Sequence, residues 1–203
     1  MKIAIIGTGN VGGALATQWS KAGHEIHLGV QNTNDFKGKD LLENDHTSVH
    51  TVSEAVALAE VILVATPPHI ALDLADEFGD VAEKIIIDAT NVVQKNPTPY
   101  PTAFHAFEDL TKAEVVKCFN TTGFENMQDP KYGDFQLDMF MAGNSNRAKN
   151  TAKQLAKDIG FANCYDFGKS DRVELLEKLA LSWINLAIFQ GVGRNIGFKV
   201  LVR

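Results

Sequence analysis

Three glycines near the start of the chain carry the most readable chemistry. Gly7-Thr8-Gly9-Asn10-Val11-Gly12 follows the apolar run Lys2-Ile3-Ala4-Ile5-Ile6 without a spacer, and Gly13 to Trp19 reads as a helix with small residues on its first turn. A strand, G-x-G-x-x-G and a helix, in that order, form the turn that binds the pyrophosphate of a dinucleotide. Gly7 is expected to make the tight turn, Gly9 to let the pyrophosphate approach the backbone, and Gly12 to let the helix pack closely on the sheet. The helix start offers unpaired N–H groups and a partial positive charge to the phosphates. The alternative is a tight turn that holds nothing.

About 20 residues beyond such glycines, a site for NAD usually places Asp or Glu on the adenosine ribose. Here Gly29-Val30-Gln31-Asn32-Thr33-Asn34 offers no carboxylate before Asp35, and no arginine for the 2′-phosphate of NADP. Gln31, Asn32, Thr33 and Asn34 are candidates to donate hydrogen bonds to a phosphate, with Lys37 or Lys39 as a nearby charge. Ordinary loop amides are the plainer reading.

The remaining candidates stand where strands should end. Val61-Ile62-Leu63-Val64-Ala65 and Lys84-Ile85-Ile86-Ile87-Asp88 are runs of the kind buried on both faces of a parallel sheet. Glu25 to Leu28, Ser48 to Val52 and Glu114 to Phe119 read as further strands. Helices are expected at Glu54–Leu58 (capped by Ser53), from just after Thr66-Pro67-Pro68-His69 to about Phe78, and from about Thr102 to Leu110. Strands alternating with helices predict an α/β fold, a Rossmann-like doubly wound, mostly parallel sheet. Ligands of such sheets sit beyond the strands' carboxyl ends. The crevice is therefore expected to hold Gly7 to Gly12, then Ala65-Thr66-Pro67, then Thr90-Asn91, then Asn120-Thr121-Thr122-Gly123. Small groups, hydroxyls and amides dominate, which suits a nicotinamide carboxamide or a flavin-like ring. No catalytic acid, base or nucleophile is assigned: His69 reads as a loop histidine, His105 as packing, and Asp88 as a turn hydrogen-bonding group.

Composition sets the outer bounds. At 203 residues and 45% hydrophobic the chain fits one domain, 1–203, with 137–203 as a C-terminal elaboration. That elaboration is expected to contain a strand at Leu137–Met141, a helix at Arg147–Ile159 capped by Asn144 to Asn146, a strand at Asn163–Phe167 and a long helix from Asp171 to about Gln190. The last is apolar nearly all round after Leu179, so it must bury itself in the core or against another subunit. A net charge of −6 argues against nucleic acid, no tract is long enough to span a bilayer, and no metal cluster is apparent. Cys118 and Cys164 suit a reducing compartment, and the chain is expected to be cytoplasmic.

Several stretches together resemble the family named for coenzyme F-420-dependent NADP oxidoreductases, which extends to the NADPH-binding domain of the STEAP metalloreductases. They are Ile3 to Gly12, Asp88-Ala89-Thr90-Asn91, Val115 to Met127, Leu176 to Ala180, Trp183 to Ala187 and the Gly191–Arg203 tail. The resemblance implies hydride exchange between NADP (NAD not excluded) and a flavin or coenzyme F-420, or another small-molecule electron acceptor, in a homodimer. Carried over by position, the glycine loop holds the pyrophosphate, while Thr66, Pro67, Asn91 and Asn120 to Gly123 surround the ring junction. Members that take NADP typically read Gly-Ser-Arg where this chain has Gly29-Val30-Gln31, and glutamine does not replace a bidentate phosphate partner. Two other readings stay open: a non-catalytic dinucleotide sensor, and a dehydrogenase of the hydroxyacid or imine type.

Overall fold

A computed structural model describes residues 1–93 and 95–203. β1 (Lys2–Ile6) runs through the glycine turn into α1 (Asn10–Lys21), and β2 (Glu25–Val30) follows. A short 3-10 turn, Lys39–Glu43, crosses the polar stretch to β3 (Thr47–Thr51). Next come α2 (Val52–Leu58), β4 (Val61–Val64), α3 (Ala71–Glu77), β5 (Ile85–Asp88), α4 (Ala103–Leu110) and β6 (Glu114–Cys118). The last third holds α5 (Phe124–Gln128), a small hairpin of β7 (Lys131–Tyr132) and β8 (Phe135–Gln136), then β9 (Met139–Ala142), α6 (Asn146–Asp158), β10 (Cys164–Asp166) and α7 (Val173–Ile184). The proline-rich loop expected after Asn91 is described except at position 94, which lies outside the described residues.

Eight strands form one sheet in the order β10-β9-β6-β5-β4-β1-β2-β3. From β3 to β6 every pairing is parallel, in the order of doubly wound dinucleotide-binding sheets. The expected α/β class is borne out. Winding reverses between β1 and β4, so the crevice opens there. β9 joins β6 antiparallel and carries β10 beside it in parallel. Alternation along β1 feeds both faces: Ile3 and Ile5 join Leu15, Trp19 and Leu155, while Ala4 and Ile6 join Val56, Leu74, Phe104 and Phe107. Cys118 and Cys164 are free, buried thiols with their sulfurs 3.9 Å apart, and burial, then the neighbouring thiol, pushes the Cys118 pKa up.

Two helix ends differ from expectation. α2 is capped by Thr51, not Ser53: Thr51 Oγ1 accepts from the Glu54 N–H while the Glu54 carboxylate accepts from the Thr51 N–H. That reciprocal box requires the acid three residues after the cap, a spacing that only Thr51 offers. The long C-terminal helix reaches its expected end, but its last turn is wound differently. α7 ends at Ile184, a π turn covers Asn185–Phe189, and Gly191 and Gly193 (φ 70° and 95°) then turn the chain. Ala180, Trp183 and Ala187 are buried, whereas Leu181, Leu186, Ile188 and Phe189 are exposed. The tail returns across the domain, its Ile196 carbonyl accepting from Asn126 Nδ2 (2.6 Å) and Trp183 Nε1 (2.8 Å). No helix among the described residues is long and apolar enough to cross a membrane.

One cation is sealed inside this frame. Lys117 has no exposed surface, and its Nζ lies 2.9 Å from Asp88 Oδ2, 2.6 Å from Glu177 Oε1 and 2.5 Å from the Thr90 carbonyl oxygen. Glu177 Oε2 also accepts from the Val92 N–H at 2.9 Å. β5, the loop after it, β6 and α7 thus meet on a single ammonium. Burial pulls the Lys117 pKa down, but the charges of Asp88 and Glu177, with their hydrogen bonds, push it above the ordinary 10.5. Since the folded value is the raised one, this contribution is complete below pH 10.5 and is lost as the pH climbs through the folded value. Lys117→Met leaves two buried carboxylates without a counter-ion and should cost about 3–5 kcal/mol. In thermal melts at neutral pH that corresponds to a drop of roughly 6–20 °C; a variant that melts with the parent contradicts this role.

Candidate functional site

The glycine turn is built by close approach. Gly7 has φ 103°, and a Cβ on it would lie 2.6 Å from the Ala65 carbonyl oxygen. A Cβ on Gly12 would lie 1.9 Å from the Gly7 carbonyl oxygen, so α1 meets the turn with no room for a side chain. Gly9 is the opposite case: nothing lies within 4 Å of its hypothetical Cβ. Its open side is space that a ligand can use. α1 starts at Asn10 with no side-chain cap and no acidic residue in its first turn. Its leading N–H groups and dipole therefore remain available to an anion. Asn10 is exposed and Val11 is partly buried against the core. Thr8 Oγ1 donates to the Lys37 carbonyl oxygen, which pins the loop after β2 onto the turn.

Beside the turn, a cleft of about 310 Å³ is lined by Ile6, Gly7, Thr8, Val30, Gln31, Asn32, Asp35, Phe36, Thr66 and Leu74, among others. Its position at the ends of β1 and β2 is where the adenosine half of a dinucleotide lies in such sheets. Gln31 Nε2 donates to Glu77 Oε2 at 3.2 Å, and Asn32 Oδ1 accepts from the Asn34 N–H at 3.0 Å. Lys39 lies 3.8 Å from Asp35, and Lys37 lines a neighbouring cleft that shares Thr8 with this one.

The other end of the crevice is an amide clasp. Asn91 Nδ2 donates to the Asn120 carbonyl oxygen and Asn120 Nδ2 donates to Asn91 Oδ1, both at 3.1 Å. Phe119, the residue before Asn120, is fully buried with φ 63°. A bulky residue in the left-handed region is a strained turn, here the one that carries the chain from β6 to Asn120. Asn120 Oδ1, Thr66 Oγ1 and Thr90 Oγ1 are buried polar atoms with no partner. Buried polar atoms are normally hydrogen-bonded, so three orphans at adjacent strand ends mark a place for polar atoms of a ligand. Next to them Pro67, Pro68, His69, Asn91, Val93 and Lys95 line a cleft of about 460 Å³.

Of the expected residues, Gln31, Asn32 and Thr66 line the first cleft and Pro67 and Asn91 the second, while Thr121 lines neither. Thr121 is buried and its hydroxyl reaches Met139 Sδ at 3.8 Å, into the core. His105 packs as expected, its Nδ1 2.8 Å from Thr102 Oγ1. Asp88 accepts from the Thr90 N–H at 2.9 Å, the turn bond expected of it, and also holds Lys117. Lys117 and Glu177 escaped sequence reasoning. The available signal was a lysine inside an apolar strand, which demands a buried carboxylate partner. Among the described residues no cluster of three potential metal ligands occurs.

Comparison with known proteins agrees with this geometry. A protein of Arthrobacter sp. FB24, provisionally described as an F420-dependent NADP reductase, superposes with a TM-score of 0.84 over 100% of both chains at 26% identity. A reductive aminase from Aspergillus terreus solved with NADPH superposes with a TM-score of 0.67 at 17% identity, covering 94% of this chain and 62% of that one, which shows the fold alone. A glycerol-3-phosphate dehydrogenase [NAD(P)+] from Thermoanaerobacter sp. is 31% identical over 98 residues, and the match covers 43% of this chain but 30% of that protein's length. Residues 2–92, from β1 to just past the Asp88-Ala89-Thr90-Asn91 turn, match the family described as NADP oxidoreductase, coenzyme F420-dependent.

Proposed function

We propose that the protein is an NAD(P)-dependent oxidoreductase that passes hydride between the nicotinamide ring and a flavin, coenzyme F-420 or other small electron acceptor. The observation that carries this reading is the pair of ends of one crevice: an uncapped helix start facing open space at Gly9, and three unpartnered buried polar atoms at Thr66, Thr90 and Asn120. The residues present fit a dinucleotide. The turn's N–H groups bind the pyrophosphate, and the Asn91–Asn120 clasp orients a carboxamide through the free Asn120 Oδ1. Pro67 and Pro68 form a rigid apolar wall beside it. When bound, the nicotinamide supplies or takes up the hydride. No residue of the clasp is a catalytic acid or base, which suits hydride transfer, where alignment matters more than proton handling.

A homodimer belongs to the same proposal, supported by the exposed apolar Leu186, Ile188 and Phe189 beyond α7; sedimentation at twice the 22.1 kDa chain mass checks it. Purified protein mixed with NADH or NADPH and a flavin should lose absorbance at 340 nm. Binding without turnover, with every acceptor tried, favours the dinucleotide sensor instead. Two glycine variants separate binding from folding. Gly9→Ala meets no atom in the protein, so its stability should stay within about 0.5 kcal/mol of the parent. Its dinucleotide affinity should fall about tenfold or more, because the methyl group occupies the approach to the pyrophosphate. Gly12→Ala collides with the Gly7 carbonyl and should lose stability even without ligand. Equal affinity for Gly9→Ala and parent would remove the glycine turn from the site.

A further inference from the structure

We propose that the adenosine end of this crevice favours NAD(H) over NADP(H); the inference rests on the dinucleotide reading above. A 2′-phosphate brings nearly two negative charges to the end of β2, and proteins that hold one supply an arginine or an unpaired lysine. This cleft supplies carboxylates. Asp35 lines it, and Glu77 reaches from α3 to accept the Gln31 amide at 3.2 Å, which takes up the donor best placed for a phosphate. Of the nearby cations, Lys39 sits 3.8 Å from Asp35, and Lys37 lines the neighbouring cleft, not this one. The chain's four arginines all lie at or beyond residue 147, and Arg147 and Arg194 pair with Glu114 and Glu125. A ribose with both hydroxyls free needs only acceptors, and Asp35 and Glu77 are acceptors. A phosphate there displaces the Gln31–Glu77 bond and meets two like charges.

Calorimetric titration of the full chain with NADH and NADPH separately tests this. NADH is expected to bind about tenfold or more tightly, with the gap narrowing at high salt because Asp35 and Glu77 are exposed and their repulsion is screened. The double variant Gln31→Arg/Glu77→Gln, altered only at exposed positions, should gain about tenfold or more in NADPH affinity. Equal or tighter binding of NADPH by the parent protein overturns the preference. A double variant with unchanged NADPH affinity overturns the assignment to these residues. Failure of both nucleotides to bind overturns the dinucleotide reading itself, a result distinguishable from either.

Discussion

A single buried ammonium holds the working end of this protein together. Lys117 reaches Asp88, the Thr90 carbonyl and Glu177, and Glu177 reaches the Val92 N–H. Two strand ends, the loop that leaves one of them and the C-terminal helix are therefore tied to one point. Charges this deep are tolerated only when paired and hydrogen-bonded on all sides, so the geometry around Lys117 is narrowly constrained. Asn91 stands between Thr90 and Val92, both held by the cluster, and its amide makes the clasp with Asn120. The buried ions fix the backbone, and the backbone presents the amides.

At the other end of the crevice the constraint is steric. Gly12 packs against the Gly7 carbonyl with no space for a methyl group, and this brings the start of α1 to the end of β1. The same turn leaves Gly9 facing open space. Function here follows from backbone held in place: N–H groups at the turn, and orphaned oxygens at Thr66, Thr90 and Asn120. On the proposed reading, the sheet itself supplies the orientation that hydride transfer needs, without a dedicated acid or base.

Local patterns made most of this legible in the sequence. The glycine turn, the buried runs Val61–Ala65 and Ile85–Asp88, and the Asn91 and Asn120 strand ends each declare themselves within a few residues. What escaped depends on partners distant in sequence. Glu177 reads as a surface helix residue until it is seen facing Lys117, and Gln31 reads as a free amide until Glu77 arrives from α3. Thr121 belongs to the same polar run as Asn120 yet turns inward, because Phe119 in the left-handed region resets the chain's direction. The apolar pattern past Leu179 gives the helix its end but not its winding: a π turn covers Asn185–Phe189 before Gly191 and Gly193 turn the chain, and Phe189 is left in solvent.

The most direct test of the account is a crystal structure of the protein grown with a nicotinamide dinucleotide. The account predicts pyrophosphate density against the N–H groups at Gly9 to Val11, and a carboxamide within hydrogen-bond distance of Asn120 Oδ1. Density for the dinucleotide elsewhere, or with its ring end away from the Asn91–Asn120 clasp, would contradict it.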